Sequence, residues 1–290
     1  MEYLNVSLRK IKDNFIKHNV SQITIYKNDL KELELINENH PKLIETMSVT
    51  KSFLAIAILF LIQDKKISSI NDKISYYFKE WENDERKNIT IKDILSMTAQ
   101  LENNWDYDTF MFPNKKLGEI KKPNIYHLSR NINYSCHKLK DDFEYNNTAT
   151  QIIPSLVKVI LNINIDQYLN KVLFKPLNIN LVWNCDDDKN PYGPNGIRIS
   201  SNDLCKIGLL ILNKGIYKDK RLLDSYLVEL FLQNSVKNIE SIKKANEINN
   251  LTNILSVKGY GLLNWLLSVS KSNRICAFMG YMGQILIIDF

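Results

Sequence analysis

The chain has 290 residues, 44% of them hydrophobic and 24% charged, with a formal net charge of +6. That is enough apolar material for a globular protein of one or two domains with no need of covalent staples. The positive charge is spread along the chain as lysines among many Asn and Ile, not gathered into a basic, aromatic-interleaved patch, so no nucleic-acid partner is indicated.

Cys136, Cys185, Cys205 and Cys276 are scattered, as reduced thiols would be. His18, His40, His127 and His137 lack ligand spacing, so neither a metal nor another cofactor is expected. Met1 to Lys12 is an amphipathic start carrying Arg9, Lys10 and Lys12 rather than a secretion leader, which leads us to expect a cytoplasmic location.

Residues 3–18 read as a helix. Gln22 to Tyr26 alternates as a strand, Lys27-Asn28-Asp29 turns, and Glu32 to Ile36 returns. A helix follows from Ser48 to Asp64. Its run Phe53 to Ile62 is apolar all round, which predicts burial in a core. The run is half of what a bilayer requires and is closed by Lys51 and Asp64, so no membrane partner is expected.

From Asn71 to Leu101 the pattern is helical, with a Thr90 cap before Ile91. Residues 102–142 are polar, punctuated by Pro113, Gly118 and Pro123, and predict a mobile lobe. Helices are expected over 148–161 and 165–174. Pro191 to Gly196 is a tight loop, and Ser201-Asn202-Asp203-Leu204 caps a helix ending at Gly215. Arg274 to Phe278 and Gln284 to Phe290 read as strands around a Gly280–Gly283 break. With β segments flanking a helical middle, the expected fold is α+β: an antiparallel sheet built from both chain ends, with flanking helices. Residues 1–70 and 192–290 would form the sheet domain, and 71–191 an inserted, mainly helical domain.

The chemistry concentrates in Ser48-Val49-Thr50-Lys51. Residues three apart stack on one helix face, which puts the lysine one turn below the serine. In an apolar core the ammonium is penalised and its pKa falls, so a serine can acquire a local base without a histidine. A helix cap beside a snorkelling surface lysine would give the same letters, but ten consecutive apolar residues argue against a solvated face.

Four ordered segments carry a resemblance. Met47 to Phe53 resembles the Ser-x-x-Lys helix of the beta-lactamase-related serine hydrolases. Leu95-Ser96-Met97-Thr98-Ala99-Gln100-Leu101 looks like their Leu-x-x-[His/Met]-Thr-Ser-Gly-Leu segment. Phe143-Glu144-Tyr145-Asn146-Asn147 is similar to the Tyr-x-Asn motif, and Cys276 to Gln284 to the third-motif strand in its Gly-x-x-Gly-Gln form. Phe174 to Ile179 and Gly196 to Gly215 fit intervening family segments, so the resemblance spans about residues 20–290. The whole is similar to class C beta-lactamases and penicillin-binding proteins, in particular to 6-aminohexanoate-dimer-hydrolase-type enzymes.

The resemblance implies a beta-lactamase/transpeptidase-like fold and a serine hydrolase that forms an acyl-enzyme on an amide, ester or peptide substrate. It makes Ser48 the nucleophile and Lys51 with Tyr145 its base, the tyrosine helped to ionise by a lysine ammonium within hydrogen-bond reach. It gives Asn147 a bond to Lys51 or to a substrate carbonyl, and builds an oxyanion hole from the N–H groups of Ser48 and Tyr281, with Gly280 and Gly283 allowing close approach. A hairpin turn would equally explain the two glycines, and a core aromatic Tyr145.

The chain departs from the family where Phe278-Met279 replaces a cation and a hydroxyl before Gly280, where Ala99-Gln100 replaces Ser-Gly, and where Leu139-Lys140 replaces Pro-Gly. The first change disfavours a β-lactam-interacting enzyme or D-amino-acid peptidase, which stays as the alternative beside a catalytically lapsed binding or assembly module. The apolar strand Gln284 to Phe290 has no following partner for its outer edge, so a homo-oligomer through the C-terminal strand is also expected.

Overall fold

A computed structural model describes residues 2–103, 124–136, 142–236, 256–268 and 274–290. Leu139-Lys140 and most of the expected 102–142 lobe lie outside the described residues. The chain opens with helix α1 (Glu2–Lys17) and the hairpin β1 (Gln22–Lys27) and β2 (Leu30–Ile36), whose turn residues Asn28 and Asp29 take positive φ. Both are types that tolerate the left-handed region. Strand β3 (Ile44–Glu45) follows, then a single 3-10 turn, Met47–Val49, and helix α2 (Thr50–Gln63).

Helix α2 is the axis of the core. Every residue from Thr50 to Leu61 is buried, as the unbroken apolar run requires. The sequence pattern starts this helix at Ser48. In the structure Met47 takes a left-handed φ of 52°, so the chain passes Ser48 in the 3-10 turn and enters α2 only at Thr50. The serine hydroxyl therefore stands at the mouth of the helix and is not used up as its cap.

The expected helical stretch 71–101 is mostly 3-10 turns (Ile74–Tyr76, Lys79–Trp81, Glu85–Asn88) before a short helix α3 (Ile91–Leu95). Thr90 and Asp93 close a reciprocal capping box at its start. Helix α4 (Ile125–Arg130) is a regular piece that the polar composition of 102–142 hides. Helices α5 (Asn147–Thr150) and α6 (Ile152–Leu161) are separated at Gln151, and α7 (Ile165–Leu169) runs into a π-turn over Asn170–Phe174.

Strands β4 (Leu181–Trp183) and β5 (Ile197–Ile199) join β3 in a three-stranded sheet of order β3-β5-β4. Helix α8 (Ser201–Leu212) is capped by Ser200, one residue earlier than the sequence pattern places it. The small hairpin β6 (Ile216–Tyr217) and β7 (Lys220–Arg221) and helix α9 (Ser225–Phe231) lead to β8 (Ser256–Tyr260), β9 (Trp265–Ser268), β10 (Ile275–Gly280) and β11 (Gln284–Asp289). These last four form an antiparallel sheet of order β11-β10-β9-β8.

The two chain ends meet on α8. Thr24 Oγ1 and Ser201 Oγ share a 2.7 Å hydrogen bond, and the Tyr26 hydroxyl donates to Asn202 Oδ1 at 2.9 Å. On the other side Gly208 lies against Leu286 and Ile288 of β11. Alternation along β11 buries those two and leaves Ile285 and Ile287 exposed.

The inner end of β10 is pressed against the turn that carries Ser48. An added Cβ at Gly280 would meet the Thr46 carbonyl oxygen at 2.3 Å and Met47 Cβ at 3.1 Å. Gly280 has an ordinary extended φ of −126°, so space and not dihedral freedom demands glycine there. Gly280→Ala should cost about 1–3 kcal/mol by overpacking, read as a lower urea midpoint. An unchanged midpoint would mean that the strand end is not held against the turn.

Candidate active site

Two neighbouring segments fix the turn around Ser48. The Thr46 N–H and Oγ1–H both donate to the Ile197 carbonyl, at 2.9 and 2.8 Å, and the Ile197 N–H donates to Thr50 Oγ1 at 3.2 Å. Glu45 Oε1 accepts the Gly196 N–H at 3.1 Å, and the same carboxylate accepts the Met47 N–H. Those bonds hold Met47 in its left-handed conformation. Burial nevertheless raises the Glu45 pKa above the ordinary carboxylate value.

Lys51 is 2% exposed, on the first turn of α2. Its Nζ donates to Ser48 Oγ at 2.7 Å and to the Pro194 carbonyl at 2.8 Å. Among the described residues no carboxylate neutralises it, and burial pulls its pKa well below the ordinary lysine value. A lysine without its proton beside a serine hydroxyl is a base placed at hydrogen-bond distance.

Tyr145 completes the cluster. Its hydroxyl is hydrogen-bonded to Ser48, and Lys51 Nζ lies 4.9 Å from its ring centroid. The lysine thus meets the face of the ring, and burial pushes the tyrosine up to about 12. This direction runs against an ammonium that ionises the tyrosine: burial favours the neutral phenol. Trp265 stacks on the ring (centroids 6.2 Å apart, planes 16° apart) and is itself backed by Tyr260 and Phe143.

The Leu95–Leu101 segment holds the stretch that bears Tyr145. The Glu144 N–H donates to the Met97 carbonyl at 2.9 Å, and the Asn146 amide donates to the Leu101 carbonyl at 3.0 Å while its oxygen caps α5. Asn147 opens α5 and is half-buried; the hydrogen bonds of Lys51 go to Ser48 and Pro194 rather than to it. Gly280 to Gly283 is the hairpin turn between β10 and β11, with Met282 and Gly283 at positive φ. The Tyr281 side chain points outward, 67% exposed, so any part it has in the site belongs to its backbone. Phe278 is fully buried against Phe231 and offers the site neither charge nor hydroxyl.

Sequence reasoning missed Pro194, Glu45 and Trp265. A backbone carbonyl has no letter of its own; the density of Pro and Gly over 191–196 marks the loop but not its target. A groove of about 1020 Å³ beside the β1–β2 hairpin, lined by Tyr26, Lys31, Lys206 and Tyr217, shares no residue with this cluster. Among the described residues no group of three or more His, Cys, Asp or Glu could hold a metal, and no single helix is long and apolar enough to cross a membrane.

The buried amine has a signature in stability. The folded chain holds Lys51 below the unfolded value of about 10.4, so as pH falls from there the unfolded state gains a proton that the folded state refuses. Wild-type stability therefore declines as pH falls until the folded pKa is reached. Lys51→Met lacks this slope. Urea unfolding should show the variant gaining on the wild type by up to about 1.4 kcal/mol per pH unit over that range. A gap independent of pH would contradict the depressed pKa.

Comparison with known proteins identifies the fold and the family. No curated protein matches the chain by sequence. Among solved structures it is similar to a protein from Bacillus anthracis assigned as a 6-aminohexanoate-dimer hydrolase (16% identity, 96% of this chain and 75% of that one, TM-score 0.73). It is also similar to the octameric penicillin-binding protein homologue from Pyrococcus abyssi (15% identity, 99% and 70%, TM-score 0.72). A third is EstCE1, a hydrolase with promiscuous acyltransferase activity (11% identity, 100% and 93%, TM-score 0.66). At these identities the likeness establishes the fold, the α+β beta-lactamase/transpeptidase arrangement. The Beta-lactamase family model matches residues 40–225, more than half of the chain. The chain belongs to the beta-lactamase family, which consists mostly of serine hydrolases acting on amides and esters.

Proposed function

We propose that this protein is a serine hydrolase that works through an acyl-enzyme on Ser48, with neutral Lys51 as the base. The observation that carries the reading is the 2.7 Å contact between Lys51 Nζ and Ser48 Oγ at a buried lysine with no counter-ion among the described residues. The Ser48 proton passes to Lys51 Nζ as Oγ bonds to the acyl carbon. The carbonyl electron pair moves onto oxygen, where the N–H groups of Ser48 and Tyr281 receive it. Collapse expels the amine or alcohol, which takes a proton from Tyr145, a phenol held neutral by burial. Lys51 returns the first proton to the tyrosine oxygen. Water then attacks the acyl-enzyme with the same base, releases the acid and restores Ser48. Asn147, at the start of α5, would hydrogen-bond the substrate carbonyl side.

The substrate is a small amide or ester with an uncharged or bulky acyl group. Phe278 is sequestered against Phe231, and Met279 offers no cation or hydroxyl to grip a β-lactam or terminal carboxylate. Intact mass after treatment with a fluorophosphonate should show one adduct, mapped to Ser48 and lost in Ser48→Ala. Short-chain p-nitrophenyl esters should turn over well above nitrocefin. No adduct, or one elsewhere, would point to the lapsed module; efficient nitrocefin hydrolysis would favour the β-lactam-interacting alternative.

We further propose that copies associate through β11, an edge strand with exposed Ile285, Ile287 and Phe290. The octameric assembly of the Pyrococcus abyssi homologue supports self-association on this fold. Sedimentation over a concentration series should give a dimer or larger species, reduced by Ile287→Lys. A monomer at tens of micromolar would refute the interface.

A further inference from the structure

We infer that Gln151 is a positioning residue for the Ser48–Lys51 pair, acting through the Pro194 carbonyl. The inference rests on the reading of Lys51 as the base. Gln151 occupies the break between α5 and α6 and is 1% exposed. A primary amide buried this completely is costly unless both of its ends are paired. Its side chain caps neither helix. Both ends go to a single loop instead: Oε1 accepts the Gly193 N–H at 2.6 Å, and Nε2 donates to the Pro191 carbonyl at 3.1 Å.

The loop is seated as tightly by backbone contact. A Cβ at Gly193 would lie 2.6 Å from the Thr150 carbonyl oxygen and 2.9 Å from Gln151 Cα. Trp183 Nε1 donates to the Tyr192 carbonyl at 2.8 Å, and Glu45 takes the Gly196 N–H on the far side. Pro194 lies between these pins. A proline has no N–H of its own to anchor and a fixed φ, so its carbonyl points wherever the flanking residues are held. Held as they are, it points at Lys51 Nζ from 2.8 Å.

That contact does two things for an amine. It ties one N–H while another is directed at Ser48 Oγ, and with the Tyr145 ring face on a further side this holds Nζ against the hydroxyl whose proton it is to take. A carbonyl acceptor also favours the protonated form, opposing the burial that depresses it. Gln151 thereby keeps the base both aimed and basic enough to accept a proton from serine.

Gln151→Met preserves bulk and removes both hydrogen bonds. Fluorophosphonate labelling of Ser48, followed by mass spectrometry across pH, reads the base directly. The variant should label about 10- to 100-fold more slowly, the scale of a small misplacement at a reacting centre. Its acid limb should move to lower pH, because Lys51 loses an acceptor for its charged form. Gly193→Ala, which strikes the same loop from the backbone, should move the limb in the same direction, and Gln151→Glu, which retains an acceptor for the Gly193 N–H, should fall between Gln151→Met and the wild type. Near-UV circular dichroism confirms that each variant is folded. Folded variants with wild-type rate and an unmoved limb would overturn the inference and leave the base reading intact. A lower melting temperature with an unmoved limb would likewise reduce Gln151 to a scaffold residue. A wild type that does not label at Ser48 would overturn both readings.

Discussion

An amine buried on an apolar helix, with no acid beside it among the described residues, is the constraint around which the rest of the molecule is arranged. Lys51 sits on a helix whose residues from Thr50 to Leu61 are all buried, so the water that would stabilise its charge is absent. Among the described residues the chain answers with two hydrogen-bond partners, Ser48 Oγ and the Pro194 carbonyl, neither of which carries a full negative charge. Desolvation therefore wins over hydrogen bonding, and the pKa falls. Had a carboxylate been placed there, the ammonium would be stable and useless as a base. The polar residues of the core are accordingly placed one layer back: Glu45 on backbone N–H groups, and Gln151 on the 191–193 loop.

Tyr145 shows the complementary effect. Burial penalises phenolate as it penalises ammonium, so one environment pushes the two groups in opposite directions: the lysine down, the tyrosine to about 12. Pairs driven apart in this way divide the work of acid and base between them. Stacking against Trp265 fixes the ring plane, and the Met97–Leu101 segment fixes the stretch that bears it. The shape of the cluster thus depends on residues far apart in sequence: α2, the segment before α5, the loop before β5, and β9.

Much of this was legible in the letters. The ten-residue apolar run predicts a buried helix, and burial of Lys51 follows from its place on that helix. The turn at Asn28-Asp29, the Thr90 cap and the final hairpin each have a local chemical signal. Where local signals were weak the reading fell short. The 71–90 stretch has helical periodicity but folds as 3-10 turns, because its side chains serve the core rather than a continuous helix. Strands β3, β4 and β5 are two or three residues long, too short to show alternation. The start of α2 shifted because Met47 adopts a left-handed conformation sustained by its bond to Glu45 and by the ties of Glu45 and Thr46 to Gly196 and Ile197, which no pattern in 46–48 displays. The Pro194 contact and the orientation of Lys51 to the ring face of Tyr145 are products of packing and have no sequence signature.

The central claim is that burial holds Lys51 in its neutral form to a lower pH than an ordinary lysine. Selective carbon-13 labelling of lysine Cε, with Lys51→Met to assign its resonance, measures this directly by NMR titration. The account predicts one resonance, absent in Lys51→Met, that keeps the chemical shift of a neutral amine to a lower pH than the bulk of the lysine signal. A Lys51 resonance that titrates with the others would contradict it.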